Sequence, residues 1–213
     1  YNSYLRTMGR YYRHFKGNIY KVLHIAKHSE TLEDIEGIAK LGKKVIDTYF
    51  EIPKPDRPKG IGVTISVSCF IPKPFTPFQW APQLDYDTVV RRQQLLKQAL
   101  SQLEGVDFKY HAPDLSYIEA VFARGDRRLA DAMEHAWRMG CRFDGWSDQF
   151  CQEKWDQAFE ECEMDIFFYT RARSFDEILP WDHLDYGISK KFLINENKKA
   201  HESITTPHCR IQC

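Results

Sequence analysis

No run of 18 apolar residues occurs in the chain, which leaves no segment able to cross a bilayer as a helix. No excess of either charge occurs: 30 Lys+Arg balance 30 Asp+Glu. The broad basic field of a nucleic-acid binder is therefore missing, and neither nucleic acid nor membrane is expected as a partner. The first residues contain no apolar block of the kind that marks an export signal. Cysteine is sparse and scattered, with only Cys209 and Cys213 close together. A chain of 213 residues can bury a core without disulfide staples. The expectation is a cytoplasmic protein with reduced thiols.

What the chain does have is aromatic residues, 14 Phe and 5 Trp, and a changing hydrophobic period. Residues 1–7 read as an extension ahead of Met8. Gly17-Asn18 can turn between two short strands, Tyr11–Phe15 and Ile19–Ile25. Such a hairpin is marginal alone in water. From Thr31 the period becomes helical, with Ile35, Ile38, Ala39, Gly42, Val45, Ile46 and Tyr49 on one face. Thr31 and Asp34 form a weak capping box. The prolines between Pro53 and Pro58 end this helix.

Residues 61–70 alternate in the strand period. Ile61, Val63, Ile65, Val67 and Cys69 point one way, and Gly62, Thr64, Ser66 and Ser68 the other. The small polar face either leaves room for a ligand or is the solvated side of an antiparallel strand. Four prolines from Pro72 to Pro82 stiffen the next loop, and Phe75, Phe78 and Trp80 crowd it. It reads as a wall of a ligand site or as a structural clamp.

The remainder is mostly helical. Helices are predicted over 87–103, from Pro113 to about Arg124, over 127–139, 151–162 and 189–203, the last a polar surface helix. A short strand is predicted over 107–111. Ser174 and Glu177 form a second capping box before Ile178-Leu179.

The string I-S-V-S-C-F-I-P-K-P-F-T-P-F-Q-W at Ile65–Trp80 resembles the closing strand and loop of the barrel in a cobalamin-binding radical SAM family. Val121–Arg128, Gly140–Trp146, Ile178–Asp185 and Ile204–Cys213 are similar to the same family in the same order. The resemblance implies a cobalamin domain, a partial β/α barrel, SAM, and a [4Fe–4S] cluster held by a C-x3-C-x2-C loop. Anionic soft thiolates are the ligands such a cluster needs. That motif occurs nowhere in the chain. Gly9–Glu30 resembles instead the start of a small bacterial domain of unknown function.

These readings give an α+β chain in three parts. Residues 1–30 are a truncated small β domain with a hairpin. Residues 31–82 are the last helix–strand–loop unit of a radical SAM barrel, and residues 83–213 are a helical C-terminal extension. The expected function is that of a fragment of a radical SAM iron–sulfur enzyme, inactive alone. Its partner would be the missing barrel or cobalamin domain on another polypeptide. The alternative is a non-enzymatic interaction module, or a join of two truncated genes near Ser29–Asp34.

Candidate cofactor contacts are Ser66 and Ser68 on the polar strand face and Pro72 and Lys73 in the loop. Candidate metal ligands are Cys209 and Cys213, two thiolates of a Cys₄ set, with His201 and His208 nearby in sequence. The resemblance implies a further cysteine after this pair. Cys69, Cys141, Cys151 and Cys162 have no ligand spacing and read as structural. His183 between Asp182 and Asp185 suggests a general base or a hydrogen-bonded turn over a buried Trp181. Arg124, Asp126, Arg127 and Arg128 suggest an anion site or a helix cap with solvated arginines. The basic, aromatic stretch from His14 to Lys27 suggests a nucleic-acid contact or a solvated hairpin, and the neutral chain favours the hairpin.

Overall fold

The change of period near Thr31 marks the start of a helix, α1 (Leu32–Glu51), in the computed structural model, which describes residues 11–13, 19–21 and 32–207. Ahead of it, β1 (Tyr11–Arg13) and β2 (Ile19–Lys21) pair antiparallel, Tyr11 opposite Lys21. The Gly17-Asn18 turn between them and the Thr31 cap lie outside the described residues.

Helix α1 buries Ile35 and Ile46, as its period requires. Gly42 is where it comes closest to the sheet: a Cβ there would stand 2.8 Å from Ile65 Cδ1. Arg57 folds the proline linker back over the helix end, donating from Nε and Nη2 to the Ile52 carbonyl at 2.9 and 2.7 Å. A cation at the C-terminal carbonyls is favoured by the helix dipole.

Strand β3 (Val63–Val67) is followed by α2 (Tyr86–Leu100) and then β4 (Val106–Tyr110). The two strands pair in parallel, Val63 opposite Val106 and Val67 opposite Tyr110. The solvated Ser/Thr face is present, since Thr64, Ser66 and Ser68 are exposed, but the strand is not antiparallel as that reading supposed. A helical crossover places the second strand in parallel. The boundary expected between 82 and 83 falls inside this β–α–β unit. Helices α1 and α2 cover one face of the pair, where Ile35, Leu96 and Leu100 pack against Ile65, Val67, Val106 and Phe108.

A second core belongs to α3 (Pro113–Ala123), α4 (Leu129–Arg138), α5 (Gln152–Glu161) and the short α6 (Phe167–Thr170). Ile118, Val121, Leu129, Ala136, Trp155 and Phe159 meet there. A third cluster joins Trp80, Leu179 and Trp181 to Leu193 of α7 (Lys190–His201). Helix α7 is thus anchored rather than a purely polar surface helix. No helix starts at the expected Ser174/Glu177 box. Glu177 N–H bonds the Ser174 carbonyl in a turn, and the Glu177 carboxylate is taken by Arg171 instead of closing the box. The described chain is mixed and mostly helical, with one two-stranded parallel sheet.

Candidate functional site

The proline-rich loop is held at its polar atoms as well as by its rings. Gln79 is 2 % exposed, and its Oε1 accepts from Phe75 N–H at 3.0 Å and from Trp181 Nε1 at 2.7 Å. Asn197 of α7 donates to the Pro77 carbonyl at 2.7 Å. The Gln83 and Arg173 amides bond the Thr170 and Trp80 carbonyls at 2.8 and 2.9 Å. The loop is therefore a clamp that ties the end of β3 to the C-terminal segment. Phe75 meets this geometry with a left-handed φ of 58°, a conformation that disfavours a side chain.

The same loop borders two adjoining cavities. The larger, about 480 Å³, opens between α1, the end of β3 and α2, and includes Ser66, Ser68 and Cys69. The smaller, about 400 Å³, is walled by Phe78, Trp80, Arg173, Phe175, Asn197 and His201. Phe70, Phe78, Leu84 and Arg92 border both. Both volumes suit small-molecule sites, and a position beyond the carboxyl end of a parallel strand is where α/β units bind ligands. Among the described residues no carboxylate lines either cavity.

Two buried arginines pack together, and one of them, Arg173, lines the smaller cavity. Arg124 is fully buried and donates from Nη1 and Nη2 to the Thr170 and Arg171 carbonyls at 3.1 and 2.8 Å. Arg173 is 6 % exposed and donates from Nη2 to the Arg124 carbonyl at 2.9 Å. Burial, then the neighbouring charges of Arg173 and Arg171, pushes Arg124 down to about 10. Burial also lowers Arg173, and the charge of Glu177 opposes the shift. Arg124 Nε, Arg173 Nε and Nη1, and Trp80 Nε1 have no hydrogen-bond partner, and the Arg173 guanidinium lies over the Trp181 ring at 5.3 Å from its centroid.

Of the four expected cofactor contacts, Ser66 and Ser68 reach the larger cavity. Pro72 and Lys73 line neither cavity: Pro72 is fully buried, and Lys73 pairs with Glu119 at 2.5 Å. Cys209, Cys213 and His208 lie outside the described residues. Among the described residues no three His, Cys, Asp or Glu converge as metal ligands. Cys69, Cys141, Cys151 and Cys162 are free thiols, and burial pushes Cys141 and Cys162 up, away from thiolate character.

Trp181–Asp185 forms the hydrogen-bonded turn. Asp182 accepts from Leu179 N–H and Lys190 Nζ, each at 3.0 Å, and Asp185 from Gly187 N–H at 2.7 Å. His183 stands exposed. Of the 124–128 set, Asp126 binds Arg128, Arg127 is exposed, and Arg124 is not solvated but buried. The arginines at the cavity itself, the half-buried Arg92 and the buried Arg173, had no mark in the sequence: neither spacing nor period distinguishes an arginine that folding will bring to a cavity.

A family profile described as "Protein of unknown function (DUF1653)" matches residues 10–35. It overlaps Gly9–Glu30, the piece expected to be the start of a domain of unknown function. No curated protein and no solved structure matches the chain. No helix among the described residues is long and apolar enough to cross a membrane.

Proposed function

We propose that residues 31–213 are the closing β/α unit and C-terminal extension of a cobalamin-binding radical SAM enzyme, a wall of its cofactor cavity rather than its catalyst. One observation supports this reading above the rest. The β3–β4 pair is parallel, yet among the described residues helices cover only one of its faces. Parallel sheets are ordinarily covered on both faces, because their crossovers bury them. The uncovered side presents Thr64, Ser66, Asp107 and Lys109, a polar surface suited to line a barrel interior.

The described residues do not fit a [4Fe–4S] cluster. Its implied thiolate loop is absent from the sequence, and no ligand group converges elsewhere in the described part. No step of SAM cleavage is assigned to this chain. In this reading Ser66 and Ser68 border the cofactor space, while Cys209 and Cys213 supply two thiolates of an incomplete site. Metal analysis before and after Cys209→Ser tests the latter, and unchanged metal content ends it.

The main test mixes the chain with a polypeptide from the neighbouring DNA that carries C-x3-C-x2-C and a cobalamin domain. The expected result is a stable complex in which the β3 and β4 amides gain protection from hydrogen exchange. A complex that leaves those amides unchanged, or no complex, overturns the reading. The family match confined to residues 10–35 favours a second reading, a join of two truncated genes. Single-molecule DNA sequencing across codons 20–45 tests it, since interrupted reads at the seam mark an assembly join.

A further inference from the structure

We propose that Cys141 and Cys151 form a redox-operated lock on the α4–α5 hairpin, closing as a disulfide by exchange with a small-molecule disulfide of the oxidised-glutathione class. The two thiols flank the 142–150 loop, and both are free. Their nearness follows from the register of the two helices. His135 Nδ1 meets Glu161 Oε2 at 3.1 Å, and a Cβ on Gly140 would lie 3.6 Å from Lys154 Nζ. As the chain advances along α4, its neighbour on α5 therefore moves backward, so the helices run antiparallel. Cys141 continues that progression past Gly140, to the end of the pair where Cys151 is the residue before α5. Cys141 also shares a buried cluster with Trp155, one turn beyond Cys151.

The two thiols differ as an attacking and a resolving cysteine differ. Cys141 is buried, whereas Cys151 is half-buried and its Sγ reaches Glu153 Oε2 at 3.3 Å. A bulky oxidant in solution therefore meets Cys151 first. Burial, with the charge of Asp144, pushes the Cys141 thiol up; Lys154 opposes this, and the charge of Cys151 adds to it. That last influence agrees with the helix register, since a charge shifts a thiol from close by. Cys162 is no competitor for Cys151. It follows the ten residues of α5, about 15 Å along the helix.

The exchange balances without a cofactor. The Cys151 thiolate attacks one sulfur of oxidised glutathione, forms a mixed disulfide and expels one glutathione thiolate. The Cys141 thiolate then attacks the Cys151 sulfur and expels the second. Two protein thiols lose two electrons, the glutathione disulfide gains them, and the two protein protons pass by way of water to the two glutathione thiolates. Reduced glutathione reverses both steps. The loop so closed presents Phe143, 75 % exposed at a left-handed φ of 58°, and the exposed Trp146. The lock thus acts on a strained loop that displays two aromatic rings to solvent.

The test incubates the folded full chain with oxidised glutathione at about pH 8, near the ordinary thiol pKa, and maps its peptides by mass spectrometry without reduction. The expected product links the peptides that carry Cys141 and Cys151, and is read apart from any link between Cys209 and Cys213. The link is expected to form about tenfold or more faster in the folded chain than in urea, where only nearness in sequence acts. The linked chain is expected to melt about 5 °C or more above the same chain reduced again. Cys141→Ser is expected to stop at one glutathione on Cys151. Should that variant fail to fold, the peptide map, the urea comparison and the melting point of the unmutated chain decide. Glutathione retained on Cys151 of the unmutated chain, an equal rate in urea, or an unchanged midpoint overturns the proposal.

Discussion

Arg124 illustrates how a surface-type residue becomes a structural one. Its guanidinium spans the Thr170 and Arg171 carbonyls, so it closes the end of α6 from a residue 46 positions away. Truncation removes two charge-assisted bonds and leaves those carbonyls unmet, a loss only partly offset by relief of the repulsion between Arg124 and Arg173. Arg124→Ala is expected to lose about 3 kcal/mol in urea unfolding, and Arg124→Lys to recover less than half, since an ammonium lacks the fork. Glu177 provides the pH-sensitive counterpart. Its bond with Arg171 holds its carboxyl below the usual glutamate range. The unfolded chain then takes up protons first as pH falls, so the stabilisation is complete above about pH 4.3 and is lost as pH drops through the folded value. Asp126 and Glu196 are lowered too, by Arg128 and by Thr206 with Lys199. Glu177→Gln should therefore make the urea midpoint less steeply dependent on pH between about 5 and 3, without flattening it.

Helix starts are where local chemistry and packing can be separated. Asp85 accepts from Thr88 N–H at 2.8 Å and starts α2, and Ser189 accepts from Phe192 N–H at 3.2 Å and starts α7. Asp85→Ala and Ser189→Ala are each expected to cost about 1 kcal/mol in denaturant unfolding. Ser174 and Glu177, whose residue types match a capping box, start nothing, because Arg171 offers Glu177 a stronger partner than a helix amide. Connections obey the same logic. Gly125 joins α3 to α4 where a Cβ would lie 2.9 Å from the Val121 carbonyl and 2.0 Å from Leu129 Cδ1. Gly125→Ala is expected to destabilise by about 1–3 kcal/mol, measured by the thermal midpoint.

At the scale of the whole molecule, the 72–83 loop does the joining. Its Gln79 carbonyl oxygen serves two donors, Phe75 N–H and an indole 102 positions away. Gln79→Ala leaves both unmet in a buried place and is expected to cost about 2–4 kcal/mol. Trp181 should also shift its fluorescence toward that of exposed tryptophan before global unfolding. If the loop only packed through its rings, Gln79→Ala would leave that emission unchanged.

The described local elements, apart from the short α6, were legible in order and kind. The period-3.6 face of Ile35–Ile46, the alternation at Val63–Val67 and the Pro113 start are consequences of side-chain spacing and backbone sterics, which act over a few residues. Proline and aromatic crowding at 72–80 marked the loop but left open whether it was a wall or a clamp. The parallel pairing of β3 with β4, the two shared cavities and the burial of Arg124 and Arg173 came only with the tertiary structure. Each depends on residues tens of positions apart meeting in space, and an arginine's surroundings, not its neighbours in sequence, set whether its charge faces water or a cavity.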